Sequence, residues 1–304
     1  MIAGPLPVRR LPRSSLILCT RNRFKLLADT LASILEANEV PDELIIIDQS
    51  DEKHFSLNQL ANDKGCEVRY LWSPIIGSSH ARNAGILAAK HDILAFVDDD
   101  MWVAPNWYSA LIQALVEGGP RSIVTGRVET APPEKPSGFV ISVHGWDDHQ
   151  IYQGRINKDV LATGLMAAYR SAFEALGGLD ERLGPGTRFP GAEDNDFGFR
   201  CLEAGYKIIY QPDSVIYHRA WRTRRDYIPL FWRYGRGQGA FYAKHFKENG
   251  PYMRSRAKQD FVRYLRLLPE RLWKGQFLVV AGSTAFILGE ISGFLDWSIT
   301  CRRK

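Results

Sequence analysis

Three consecutive carboxylates, Asp98-Asp99-Asp100, follow the apolar run Ile93-Leu94-Ala95-Phe96-Val97. Acids this close repel one another unless a cation or hydrogen-bond donors compensate them. Mg²⁺ or Mn²⁺ is the simplest compensation. Such an ion takes one or two carboxylates together with phosphate oxygens and water, which suits a site completed by a nucleotide diphosphate. The plain alternative is a solvated acidic turn with Asp as a helix N-cap. A second cluster, Glu193-Asp194-Asn195-Asp196, precedes Phe197-Gly198-Phe199-Arg200-Cys201-Leu202, an apparent helix start. Acids there favour the helix N-terminus electrostatically. An ionised carboxylate near a metal can also take a proton from a hydroxyl, and Glu193 and Asp194 are the candidates for that role.

The elements around these acids follow a βα rhythm. Apolar runs at Leu16-Ile17-Leu18-Cys19, Leu44-Ile45-Ile46-Ile47, Val68-Arg69-Tyr70-Leu71 and Ile93 to Val97 read as strands. Helical patterns lie between them, through Leu26 to Ile34, near Leu57 to Lys64, and from Ser79 to Lys90. Apolar strands alternating with helices imply a parallel sheet covered on both faces, with ligands at the carboxyl ends of its strands. Thr20-Arg21-Asn22-Arg23, Asp48-Gln49-Ser50-Asp51, Ser73 to Ser79 and the Asp98-Asp100 run all fall at such ends.

The chain has 304 residues, 45% hydrophobic, with a formal net charge of +5 and four cysteines at Cys19, Cys66, Cys201 and Cys301. The cysteines lack metal-ligand spacing, which fits a reducing, cytoplasmic compartment. Residues 1–13 read as a disordered lead without a signal peptide's apolar stretch. Residues 14–120 form a nucleotide-binding half, and 121–222 a half with loops around shorter strands, assigned to acceptor recognition. Residues 223–304 form a basic, amphipathic helical extension. Gly235-Arg236-Gly237-Gln238-Gly239 superficially matches a phosphate loop but has no strand before it. Arg233 and Arg236, with Trp232 and Tyr234, are placed either at a pyrophosphate-bearing lipid or on a solvated helix face.

Leu265, Leu268, Leu272, Trp273 and Phe277, interleaved with Arg263, Arg266, Arg271 and Lys274, fit a helix lying peripherally in a membrane interface. The alternative is packing on the protein's own core or on a second subunit. Phe277 to Ile291 is short for a membrane span. The basic residues do not sit among stacking aromatics on a sheet, so no nucleic-acid partner is expected.

Leu18-Cys19-Thr20-Arg21-Asn22-Arg23, Ile47-Asp48-Gln49-Ser50, His80-Ala81-Arg82-Asn83-Ala84-Gly85, Phe96-Val97-Asp98-Asp99-Asp100 and Glu193-Asp194 occur in an order that resembles family-two glycosyltransferases of the GT-A fold. Met166 to Arg170 and Gly177 to Gly184 resemble it too, so the likeness spans roughly Ser14 to His218. It implies an α/β GT-A domain with an open, mostly parallel sheet. It also implies inverting transfer from a nucleoside-diphosphate sugar (UDP, GDP or dTDP) to a glycan or lipid-linked acceptor hydroxyl.

By this resemblance Thr20, Arg21, Arg23 and Asp48 line the nucleoside pocket, with Asp48 reading the base, and Arg82 sits beside the base or phosphates. Asp98 and Asp99 face the ribose and metal region. Asp100 is the principal ligand of Mn²⁺ or Mg²⁺, joined by Asp98 and His218, and Arg219 meets the phosphates. Asp194 is the catalytic base, positioned by Glu193. Two departures from the family pattern are Thr163-Gly164-Leu165, where Gly-x-Asn is frequent, and Ala192, where Gly often precedes Glu-Asp. The competing classes are a metal-dependent nucleotidyltransferase and an inactive carbohydrate-binding or scaffold protein of the same fold.

Overall fold

The computed structural model describes residues 11–59, 64–141 and 143–301. Most of the expected lead, part of the helix expected over Leu57 to Lys64, and the terminal Arg302-Arg303-Lys304 therefore lie outside the described residues.

The first half is built as its sequence pattern requires. Strand β1 (Ser14–Thr20) is flanked in parallel by β2 (Glu43–Asp48) and β4 (Ile93–Asp98), and β3 (Glu67–Trp72) extends the sheet beyond β2. Side chains on alternate strand positions leave by opposite faces. Leu16, Leu18, Leu44, Ile46 and Val97 pack under helices α1 (Phe24–Glu36) and α3 (Trp107–Gly118) through Leu27, Leu31, Leu111 and Leu115. Ile17, Ile45, Ile47, Leu94 and Phe96 face α2 (Ser78–Ala88), α4 (Arg170–Leu176) and α5 (Glu193–Glu203) through Ala81, Ile86, Phe173 and Phe197. Where a helix was expected near Leu57, the described part is a 3₁₀ turn, Phe55–Gln59.

The second half continues the same sheet. Strand β8 (Leu165–Tyr169) runs antiparallel between β4 and β6 (Ser122–Pro133), and β6 pairs in parallel with β9 (Lys207–Ala220). Short β5 (Met101–Val103) and β7 (Gln150–Tyr152) pair antiparallel to β9. The order is β3-β2-β1-β4-β8-β6-β9-β5, with β7 off this path. The expectation of only short strands here fails for β6 and β9, which run 12 and 14 residues. Their register shifts between Gly126 and Arg127, opposite polar Gln211 to Ser214, so a bulge absorbs a segment that does not read as strand.

The C-terminal unit consists of α6 (Arg224–Trp273) and α7 (Phe277–Thr300). Asn249 (φ −127°, ψ 31°) breaks α6 just before Gly250-Pro251 into two arms, residues 224–248 and 250–273. The arms fold back on each other, because Tyr242 Oη donates to Asp260 Oδ2 at 2.6 Å. Helix α7 packs against both: Phe246 of the first arm meets Phe294, and Tyr264 of the second meets Phe286.

The Gly235-Arg236-Gly237-Gln238-Gly239 motif belongs to this packing. A Cβ at Gly235 would collide with the Phe286 carbonyl and one at Gly239 with that of Glu290, while Gly237 lies against the backbone of Gly191. These glycines let main chains approach closely, and no phosphate role is left for them.

Candidate active site

Strand register brings the acids to one rim. Thr20 is level with Asp48 across β1–β2, and Cys19 with Asp98 across β1–β4. Antiparallel pairing of Met101 with His218 sets β9 beside the end of the acidic run, where Arg219 N–H donates to the Asp100 carbonyl at 3.0 Å.

The three aspartates have different surroundings. Asp98, 34% exposed, accepts from Arg82 Nη2 at 2.6 Å, and its other oxygen lies over Gly164, where a Cβ would come within 2.6 Å. That contact gives the Thr163-Gly164-Leu165 departure a role: it keeps the glycine that makes room for Asp98. Asp99 is fully buried, accepts from Thr20 Oγ1 at 2.6 Å and pairs with Arg23 Nη2 at 2.7 Å. Burial, reinforced by Asp100 against the pull of Arg23, pushes its carboxyl up to about 7.

Asp100 is equally buried but better compensated. Its Oδ2 accepts from Trp221 Nε1 at 2.9 Å and Arg23 Nη1 at 3.2 Å, with Arg222 at 3.7 Å. Burial works to raise its pKa, yet His218, Arg23, Arg222 and the Trp221 hydrogen bond bring it down to about 2. Oδ1 faces His218 Nε2 at 3.8 Å. The Nδ1–H of His218 donates to the Arg219 carbonyl at 3.2 Å, which turns Nε2 toward Asp100. A carboxylate oxygen and an imidazole nitrogen presented together suit a divalent cation that phosphates complete. Asp98 turns to Arg82 instead, and among the described residues no group of three or more acids, histidines or cysteines is gathered for a metal.

Helix α2 ties this rim to the second acidic cluster. Arg82, 5% exposed, reaches Asp98 with Nη2 and lies 3.5 Å from Glu193 Oε1 with Nη1, an atom without a hydrogen-bond partner. Asn83 holds both the N–H and the carbonyl of Leu179, and Ser79 Oγ donates to the Leu183 carbonyl at 2.8 Å. The 177–184 stretch is thereby fixed beneath the loop that leads into α5.

That loop turns at Ala192 (φ 62°, ψ 16°), a left-handed conformation that glycine adopts freely and alanine does not. The family's usual Gly before Glu-Asp thus meets a backbone need that Ala192 meets under strain. Glu193 is buried, and its carboxyl is raised by burial against Arg82. Asp194 Oδ1 accepts from Asn195 N–H at 2.9 Å, and burial first, then neighbouring Glu193, push its carboxyl up to about 8. It opens on a small cavity lined by Lys158, Asp159, Phe199, Tyr252 and Arg256. Asp196 is the purely structural acid of the cluster, bound by Lys244, His245 and Arg200.

Several expected contacts are placed differently. Arg21, 41% exposed, stands 3.9 Å from Asp51, apart from the acids. The Asp48 carboxylate is fully buried and occupied, Oδ1 by Ser50 N–H and Oδ2 by Tyr70 Oη, both at 2.8 Å. Arg219 is committed to Glu134 and Asp29 at 2.6 and 2.8 Å and is not free for phosphates. Arg236 pairs with Asp296 of α7. Trp221 and Arg222, which do touch Asp100, escaped the sequence reading although they lie only two and three residues past Arg219.

The model of the family "Glycosyl transferase family 2" matches residues 15–177, more than half of the chain. The chain belongs to this family. A mannosyltransferase from Pyrobaculum calidifontis, solved with GDP-mannose and Mn²⁺, superposes with a TM-score of 0.60 at 14% identity, covering 97% of this chain and 91% of that one. The fold is thus GT-A, as the motif order implied. The glucosyl-dolichyl phosphate glucuronosyltransferase of Haloferax volcanii is 25% identical over 72% of the chain and 73% of its own length. The pre-mycofactocin glycosyltransferase of Mycobacterium tuberculosis is 24% identical over 61% of the chain, which spans only 39% of that relative. Family membership leaves the nucleotidyltransferase alternative without support.

Proposed function

We propose that this chain transfers a sugar from a nucleoside-diphosphate sugar to an acceptor hydroxyl with inversion at the anomeric carbon. The observation that carries the reading is the buried guanidinium of Arg82, shared by Asp98 of the donor rim and Glu193 of the catalytic loop. Its unpartnered Nη1 suits an anionic oxygen arriving between the two. Arg23 and Arg222, gathered on Asp100, add positive charge where a diphosphate would lie.

In this reading Asp194 takes the proton of the acceptor hydroxyl as its oxygen attacks the anomeric carbon. The bond to the diphosphate breaks, and its electron pair leaves on the phosphate oxygen. Glu193 holds Arg82 in place, and Thr20 with Arg23 keeps Asp99 anchored beneath the donor. Mn²⁺ or Mg²⁺ held by Asp100 and His218 would supply Lewis-acid stabilisation of the departing diphosphate. UDP, GDP and dTDP sugars are the donor class in this reading, in keeping with the GDP-mannose held by the mannosyltransferase that this chain resembles in fold. The acceptor is a glycan or lipid-linked hydroxyl at the cytoplasmic surface of a membrane.

The test is a thermal-shift screen of the three nucleoside-diphosphate sugar types with and without Mn²⁺, followed by turnover of the best donor. Asp194→Asn is expected to bind that donor and transfer at least about a hundredfold more slowly. A near wild-type rate would remove Asp194 from the base role.

A further inference from the structure

Helix α7 has two unlike faces. Inward, Gly282, Ser283, Gly289, Gly293 and Trp297 are buried against α6 and Phe189. Outward, Phe277, Leu288, Ile291, Leu295 and Ile299 are exposed, and their spacing puts them on one stripe about 33 Å long at 1.5 Å per residue. The stripe begins at the α6–α7 turn, where Leu272 and Trp273 are also exposed, Trp273 to 88%. Arg271 and Lys274 sit in the same turn. Arg254, Lys258, Arg263 and Arg266 follow the second arm of α6, against only Asp260 and Glu270.

We infer that this stripe and turn form a docking face for an anionic phospholipid bilayer, with α7 lying in the plane of the head groups. The inference rests on the membrane-surface part of the reading above and is independent of the transfer chemistry. An apolar stripe led by Trp and Phe, on a helical unit rich in Arg and Lys, matches the boundary between acyl chains and anionic head groups. The same cation excess would repel a second copy of the chain.

By composition α7 is long and apolar enough to cross a membrane. Its packing argues against that. Both arms of α6 lie along it: Tyr227 of the first arm and Arg271 of the second both meet its Gly282-Ser283 segment. Spanning would carry the cations of those arms into hydrocarbon. The far end of α7 is tied to the catalytic half by Asp296, paired with Arg188 and Arg236. Tyr227, five residues past Arg222 in the first turn of α6, packs on Gly282, so the docked face adjoins the rim that holds Asp100.

The experiment is co-sedimentation of the full chain with vesicles of phosphatidylglycerol and phosphatidylcholine, and of phosphatidylcholine alone. Binding should require phosphatidylglycerol and be released by high salt or alkaline carbonate. The triple change Phe277→Ser, Ile291→Asn, Leu295→Gln and the double change Arg266→Glu, Lys274→Glu should each weaken it by more than about tenfold, at unchanged melting temperature and nucleotide affinity. Unchanged vesicle binding in these variants, equal binding to phosphatidylcholine alone, or carbonate-resistant association would overturn the proposal. So would vesicle-free dimerisation abolished by the triple change. Vesicle binding by a chain that transfers no sugar would leave this proposal standing and remove the transfer reading instead.

Discussion

The Nε2 atom of His218 faces Asp100 Oδ1 across 3.8 Å, while its Nδ1 is committed to the carbonyl of the next residue. In the proposed site the pair would offer one oxygen and one nitrogen, with diphosphate oxygens and water completing the shell. Mn²⁺ should therefore bind weakly alone and much more tightly with the nucleoside diphosphate present. His218→Ala should weaken metal binding in that complex by about tenfold or more, and Asp100→Asn by more than that, read by calorimetry. Chelation with EDTA should abolish transfer; full turnover in metal-stripped enzyme would refute the metal's role.

Asp194 sets a pH dependence. Its folded pKa, raised to about 8 chiefly by burial, exceeds the unfolded value of about 3.9. Stability from the bound proton is fully present below the unfolded value and is lost as pH rises through the folded one. Asp194→Asn carries no such proton, so its melting temperature should gain on wild type between pH 5 and pH 9. The corresponding gain in unfolding free energy should exceed about 1.4 kcal/mol, the equivalent of one pKa unit. The base must be ionised to act, so kcat/KM should rise across the same interval.

Ala192 holds a left-handed backbone at φ 62°. Ala192→Gly should remove about 1 kcal/mol of strain and raise the melting temperature, with donor affinity unchanged. Chemical denaturation with a higher midpoint and an unchanged slope would report this net gain in stability.

Gly239 allows α6 and α7 to touch main chain to main chain at Glu290. Gly239→Ala should cost about 2 kcal/mol or more, because backbone cannot move aside as a flexible side chain can. The neighbouring Gly250 meets only the Phe246 ring at 3.8 Å or beyond. Gly250→Ala is the matched control and should leave the melting temperature within a few degrees.

The sequence showed most where the pattern was local. Four apolar runs and the polar ends that follow them located β1 to β4, and motif order named the fold. Ala192 and Gly164 were visible as departures, yet their meaning depends on a backbone angle and on a side chain far along the chain. Trp221 and Arg222 were missed because β9 reaches Asp100 only through its pairing with β5. Arg219 was misassigned because its partners, Asp29 and Glu134, come from elements 190 and 85 residues away. The break at Asn249 turns one long helical pattern into two arms, and only the fold-back shows why glycines recur at Gly235 to Gly239.

Gly237 rests its main chain on that of Gly191, just ahead of Glu193 and Asp194. The family match ends at residue 177, but the surroundings of Asp100 and Glu193 draw on residues beyond it and beyond the last strand. A fragment ending at Ala220 would lack the two side chains that follow to meet Asp100, and its base-bearing loop would have nothing to lean on. Grafting a different helical tail onto this sheet would disturb the surroundings of Asp100 and Glu193 along with the outer face of α7, so the two are expected to change together.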